Sequence, residues 1–73
     1  MSKLPSISGE DAVKAFGRFG FDVERQRGSH VVLIKEGYPL HLFVPMHGAI
    51  KKGLLKSLIR DAGLTNDQFC KLL

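Results

Sequence analysis

The stretch HVVLIKEGYPLHLFV, residues 30–44, decides the fold because it contains two apolar runs separated by Glu36–Gly37. The first run, His30–Lys35, is rich in β-branched residues, which favour strands. The second run, Tyr38–Val44, is also largely apolar, and an acidic residue followed by glycine between two such runs favours a tight turn. The stretch therefore predicts a hairpin of two antiparallel strands.

The pairing within this hairpin determines which side chains face the core. A two- or four-residue loop would place Val31 opposite Leu42 and Leu33 opposite Leu40, with all four facing the helices. The side chains then expected on the outer face are those of His30, Val32, Ile34, Pro39, His41 and Phe43. That face is too apolar for an ordinary solvent-exposed sheet, and a proline in the second strand favours an edge position.

The residues before the hairpin predict a helix and a further strand. Ser8, followed by glycine and two acidic residues, indicates the start of a helix that ends near Phe19. Phe21 and Val23 alternate with acidic residues, which is the two-residue period of a half-buried strand. Arg27–Ser29 then forms a turn into the hairpin.

The residues after the hairpin predict two more helices. Pro45–Gly48 interrupts the strand, and apolar residues from Leu54 to Ala62 recur at helical spacing before Gly63 ends the helix. Thr65–Gln68 has the capping-box pattern of a short third helix. The predicted order is α-β-β-β-α-α, an α+β fold with helices packed on one face of a three-stranded antiparallel sheet.

Length and composition limit the classes of function. A chain of 73 residues supports one modest core, so a single domain over residues 1–73 is expected. The net charge of +4 favours an anionic partner such as nucleic acid, with acidic proteins and membrane surfaces as alternatives.

Cys70 is the only cysteine, which indicates a reducing compartment. With no signal peptide at the N-terminus and no apolar run of the roughly 18 residues that a membrane span needs, we expect a cytoplasmic protein.

The three histidines are the candidate proton-transfer groups, because imidazole changes protonation near neutral pH. His30 follows Gly28–Ser29 at a strand start, where the turn leaves room for a phosphate, and it is the best catalytic candidate. The alternative, an exposed strand-end histidine without a function, is the more frequent situation for this spacing alone. His47 lies in a loop, where it either contacts substrate or caps the second helix, and His41 lies within a strand. Their spacing matches no metal-binding motif, so neither a metal nor another cofactor is expected.

Basic and apolar residues mark two candidate binding surfaces. The candidate phosphate contacts are Arg25, Arg27, Lys51, Lys52, Lys56 and Arg60, although a basic stripe on a helix is more often only its solvated face. Val32, Ile34 and Phe43 on the outer sheet face are either an incompletely covered core or a surface for a protein partner.

Three segments resemble the HicA (YcfA-like) toxin family: Arg27–His30 (RGSH), Val44–Gly48 (VPMHG) and Gly53–Thr65 (GLLKSLIRDAGLT). The opening resembles the family as well, with Pro5–Ser6 before a helix and Phe16–Phe21 (FGRFGF) leading into the first strand. The resemblance covers nearly the whole chain, and the order and spacing of these segments are its most specific feature.

The resemblance implies a fold like that of double-stranded-RNA-binding domains. It also implies an RNA-cleaving toxin encoded beside a HicB antitoxin, with the histidine of the Gly-Ser-His element, His30, as the essential residue. Lys51 and Lys52 resemble the basic helix start of double-stranded-RNA-binding domains, whereas Lys56 falls one place late for that motif.

The sequence therefore predicts the toxin of a type II toxin–antitoxin system, a metal-independent endoribonuclease that cleaves messenger RNA with His30 in general acid–base catalysis. His47 is the candidate for the second proton-transfer group. The predicted RNA contacts are Arg25, Arg27, Gly28, Ser29, Lys51, Lys52 and Lys56. The predicted contacts with a HicB-like antitoxin are Val32, Ile34, His41 and Phe43. A non-catalytic RNA-binding module and a protein-interaction domain are the alternatives.

Overall fold

The computed structural model describes residues 4–73. Its elements are α1 (Gly9–Arg18), β1 (Asp22–Arg27), β2 (His30–Ile34), β3 (Leu42–Pro45), α2 (Lys52–Asp61) and α3 (Asn66–Cys70). The predicted order α-β-β-β-α-α and the α+β class with a three-stranded antiparallel sheet are confirmed. The prediction that the N-terminus is not a signal peptide concerns residues 1–3 in part, and these lie outside the described residues.

The helices begin where the sequence predicts. At α1, the Ser8 hydroxyl accepts a hydrogen bond from the amide of Asp11 at 3.1 Å. At α3, the capping box is complete, because the Thr65 hydroxyl accepts from the Gln68 amide at 3.1 Å and the Gln68 side chain accepts from the Thr65 amide at 2.9 Å. These bonds satisfy first-turn amides that have no partner within the helix.

The turn between β1 and β2 has only two residues, Gly28 and Ser29. Arg27 pairs with His30 across it. Gly28 has a φ of 59°, whereas the φ of Ser29 is not positive. A positive φ at the first central position only is the pattern of a type II′ turn, which glycine favours there. The turn thus fixes His30 as the first residue of the central strand.

The predicted register of the second hairpin is wrong by two residues. Val31 pairs with Val44 and Leu33 with Leu42. The predicted turn at Glu36–Gly37 does form, because the amide of Tyr38 donates to the carbonyl of Lys35 at 3.0 Å and Gly37 has a φ of 76°. The chain does not pair again until Leu42, however, so residues 35–41 connect β2 to β3. Tyr38 explains the longer connection, because its hydroxyl donates to the carbonyl of Asp61 at the end of α2. Because this bond holds Tyr38 against α2, Tyr38 does not pair with β2.

A shift by an even number of residues leaves each side chain on its predicted face. The inner-face residues are Val31, Leu33, Leu42 and Val44, and all four belong to the buried apolar cluster. Phe16 of α1 and Phe69 of α3 join the same cluster, with ring centroids 5.0 Å apart. Pro39 and His41, however, lie in the connecting segment before β3, so their predicted place on the outer strand face is wrong. The strand that follows them is an edge strand, as predicted.

Candidate active site

The structure brings two of the three histidines together. His30 begins β2, and His47 follows β3 by two residues. Their ring centroids are 6.4 Å apart with an angle of 64° between the ring planes, and both residues are exposed. His41 precedes β3 and takes no part in this pair. The arrangement therefore places two imidazoles side by side on an open surface.

Backbone hydrogen bonds fix the position of the His47 segment. The amide of Met46 donates to the carbonyl of Ser29 at 2.6 Å, which joins this segment to the turn before His30. The amide of Gly9, the first residue of α1, donates to the carbonyl of His47 at 2.9 Å. Main-chain hydrogen bonds thus hold the pair in position: one joins Ser29, the neighbour of His30, to Met46, and the other joins His47 to Gly9.

Gly9 allows α1 to approach the end of β3 closely. A Cβ atom at this position would lie 2.0 Å from the carbonyl oxygen of Pro45 and 2.8 Å from the Cα of Met46. Only glycine fits such a distance without a shift of the backbone. Gly9 is not among the predicted site residues, and the only signal for it in the sequence is a poor helix former in the first turn of a helix.

The two arginines predicted to bind RNA lie on β1. Arg27 pairs with His30 across the first hairpin, so both side chains are on the outer face of the sheet. Arg25 pairs with Val32 on the same face, and its guanidinium forms an ion pair with Glu24 at 2.9 Å. Within residues 4–73, Arg27 has no such acidic partner. Arg27 is therefore the arginine with an uncompensated charge beside His30.

The predicted basic residues of α2 are arranged along the start of that helix. Lys51 is its N-cap residue and makes no side-chain capping bond, and Lys52 is its first residue. Lys51 belongs to the same connecting segment as His47. Lys56 lies one turn, about 6 Å, further along the helix axis. All three lysines are exposed.

The residues predicted to contact an antitoxin differ in exposure. Val32 is only 1% exposed although it lies outside the core cluster, so it offers almost no surface for a partner. Ile34 is half-buried, His41 is exposed in the connecting segment, and Phe43 is 53% exposed on the outer face. Of the two alternatives for Val32, the burial therefore supports a covered side chain and not an exposed surface for a partner.

Other kinds of site find no support in the described part of the chain. Residues 4–73 contain no cluster of three or more histidine, cysteine or acidic side chains that could hold a metal ion. No helix within that range is long and apolar enough to cross a membrane. A groove lined by Ile7, Asp11, Lys14, Arg18 and Leu73 contains none of the predicted site residues.

Comparison with known protein families gives a match over most of the chain. The model of a protein family described as the HicA toxin of bacterial toxin–antitoxin systems matches residues 9–64. This range includes both histidines of the pair, the turn before His30 and all of α2. No curated protein matches the chain.

Proposed function

This chain belongs to the HicA family of toxins of bacterial toxin–antitoxin systems, and on that premise we propose that it is a metal-independent endoribonuclease that cleaves messenger RNA. The observation that carries the proposal is the His30–His47 pair, whose ring centroids are 6.4 Å apart on an exposed surface. Two imidazoles at this separation are close enough to contact one phosphodiester group, and cleavage without a metal needs both an acid and a base.

In the proposed reaction, His30 acts as the base and His47 as the acid. The neutral imidazole of His30 accepts the proton of the ribose 2′-hydroxyl while that oxygen forms a bond to phosphorus. The bond from phosphorus to the 5′-oxygen breaks, and the protonated imidazole of His47 gives its proton to this leaving oxygen. The products are a 2′,3′-cyclic phosphate and a 5′-hydroxyl end, and no metal takes part.

Cationic groups near the pair stabilise the charge that develops on the phosphate. Arg27 is the strongest candidate, because it is opposite His30 and has no acidic partner in the described part of the chain. Lys51 and Lys52, at the start of α2, are further candidates. The amides of Gly28 and Ser29 are the remaining candidates. Arg25 and Lys56 are proposed to contact RNA further from the reacting phosphate, since Arg25 is paired with Glu24 and Lys56 lies one turn along α2.

The proposed partner is a HicB-like antitoxin that covers the outer face of the sheet. Phe43 supplies the exposed apolar surface there, and half-buried Ile34 lies at the other end of the same face from His30. An antitoxin bound across this face would exclude RNA from His30 without any change in the toxin's fold. Val32 and His41 are left out of this contact surface, since the first is buried and the second precedes β3.

Cleavage of a defined RNA in the presence of a chelator tests the proposal. Wild-type chain should produce cyclic-phosphate and 5′-hydroxyl ends in EDTA, and His30→Ala and His47→Ala should each lower the rate by about 10²- to 10⁴-fold. Circular dichroism should show that both variants keep the fold.

The third histidine provides the matched control. His41→Ala should cleave at the wild-type rate, because this imidazole lies outside the pair. When the chain is expressed without an antitoxin, wild type and His41→Ala should arrest growth and His30→Ala should not. An absolute need for added metal, or full activity of His30→Ala, would contradict the proposal.

A further inference from the structure

We propose that Phe43 is a stacking platform for a base of single-stranded RNA, next to the phosphate that His30 contacts. The inference rests on the proposed function only in taking RNA as the ligand. It adds a base-binding subsite and a substrate class, single-stranded RNA, to the phosphate chemistry of the histidine pair.

Phe43 differs from the other four phenylalanines of the chain. Phe16 and Phe69 are fully buried, Phe21 is 3% exposed, and Phe19 packs against Phe21 with ring centroids 6.5 Å apart. Phe43 is 53% exposed, and within residues 4–73 its ring contacts no other aromatic ring. A single exposed apolar residue needs no explanation by itself. The position of the Phe43 ring relative to the histidine pair is what indicates a ligand.

The strand register places Phe43 beside the histidine pair. His30 pairs with Pro45, and Val32 pairs with Phe43, so these side chains are on the outer face. Phe43 is therefore the diagonal neighbour of His30, and such neighbours are about 7–8 Å apart. This distance is within the span of one nucleotide, so a base can lie on Phe43 while its phosphate lies at His30.

The charges on the same face match a nucleic acid strand. Two rows of side chains cross the sheet: Arg27, His30 and Pro45 form the first, and Arg25, Val32 and Phe43 form the second. The cations are on β1 and the exposed ring is on β3, so a strand can keep its phosphates near the arginines and direct a base towards the ring. Between them, Val32 is 1% exposed, so a strand that crosses this row meets the side chains around Val32 and not Val32 itself.

The ligand must be single-stranded for this contact to form. The bases of an RNA duplex are stacked within the helix, and proteins recognise them mainly by shape and backbone. An unpaired base has a free π-face, and aromatic side chains on open sheets bind such bases by stacking. Phe43, which is exposed on the outer face of this sheet, has the same chemistry.

The chain contains no tryptophan, so Phe43→Trp introduces a single fluorescent reporter at the proposed subsite. The measurement uses chains that also carry His30→Ala, so that the probe, a short oligoadenylate, is not cleaved. The indole emission of the Phe43→Trp chain should be quenched by the oligoadenylate but not by inorganic polyphosphate, and its affinity should equal or exceed that of the His30→Ala chain. Phe43→Leu, which keeps an apolar side chain without a π-face, should lower the affinity roughly 5- to 100-fold.

Leu40→Ala is the matched control, because Leu40 is 47% exposed but lies in the segment before β3. It should leave the affinity for oligoadenylate unchanged. Phe43→Leu should also leave the salt dependence of binding unchanged, since it removes no phosphate contact.

Three results would overturn the inference. They are an affinity of the Phe43→Leu chain equal to that of the His30→Ala chain, emission of the Phe43→Trp chain that the oligoadenylate does not change, and a Phe43→Leu defect confined to antitoxin binding. The last result would assign the ring to the protein partner alone. Binding and cleavage are measured separately, so the two proposals can fail independently. If Phe43 binds the base but the wild-type chain cuts no RNA, the subsite is supported and the nuclease activity is rejected. If the wild-type chain cuts RNA but Phe43→Leu does not change RNA binding, the nuclease activity is supported and the subsite is rejected.

Discussion

The two faces of the sheet carry different properties of this protein. On the inner face, Val31 and Leu33 of β2 are at most 4% exposed and pack against the helices. On the outer face, the same strand presents His30, and the neighbouring strand presents Phe43, both exposed. Because successive side chains of a strand point to opposite faces, one five-residue strand contributes both to the core and to the candidate site. Stability and chemistry should therefore respond to different substitutions.

The largest expected effect is a loss of stability from the inner face. Leu33→Ala should lower the free energy of unfolding by about 2–5 kcal/mol, since it removes buried methyl groups and leaves a cavity. That is a large part of the 5–15 kcal/mol, roughly, that holds an ordinary domain folded. Urea unfolding measures the loss. Cleavage per folded molecule should stay at the wild-type value, and a parallel fall in that rate would show that the two faces are coupled.

Gly9→Ala should lower stability by less than Leu33→Ala does, but it should lower the cleavage rate as well. Gly9→Ala places a Cβ 2.0 Å from the carbonyl oxygen of Pro45, so the backbone must shift, at a cost of about 1–3 kcal/mol. The same shift moves the carbonyl of His47, which the Gly9 amide holds at 2.9 Å. The variant should therefore lower kcat more than it changes KM.

Gly17 supplies the control for this substitution. It lies in the same helix, and a Cβ there would meet nothing within 4 Å. Gly17→Ala should stabilise the protein by about 0.5–1 kcal/mol and leave cleavage unchanged. In a His47→Ala background, Gly9→Ala should have no further effect on kcat, because its action passes through that histidine. An undiminished effect in that background would reject the positioning role.

The two hairpins explain how much of the fold the sequence could predict. Gly28–Ser29 specifies its turn locally, because glycine is favoured at the one position that needs a positive φ. Glu36–Gly37 also forms its predicted turn, closed by the bond from the Tyr38 amide to the Lys35 carbonyl, yet the chain continues to Leu42 before it pairs again. The cause is a contact distant in sequence, between Tyr38 and the end of α2. Local patterns therefore predict both turns but not the strand pairing that follows the second one.

The candidate site likewise contains residues that neighbouring sequence predicts and residues that depend on contacts between distant parts of the chain. His30 was predicted from the residues immediately before it and from the family resemblance. Its neighbour His47 was only a candidate, because their meeting depends on the pairing of His30 with Pro45 and on the bond between Met46 and Ser29. Gly9 was missed altogether, since its close approach to β3 joins parts of the chain that are far apart in sequence.

The smallest expected effect concerns how far the RNA surface extends beyond the outer face. Lys51 lies in the segment that joins His47 to α2, and its side chain makes no capping bond. If it holds one phosphate of a single strand, Lys51→Gln should make the slope of log affinity against log salt less steep by about 0.7. Stability should change by less than about 0.5 kcal/mol, as for other surface substitutions. Lys71→Gln, an exposed lysine at the end of α3, is the control and should keep the wild-type slope. Equal slopes for both variants would confine the RNA surface to the sheet.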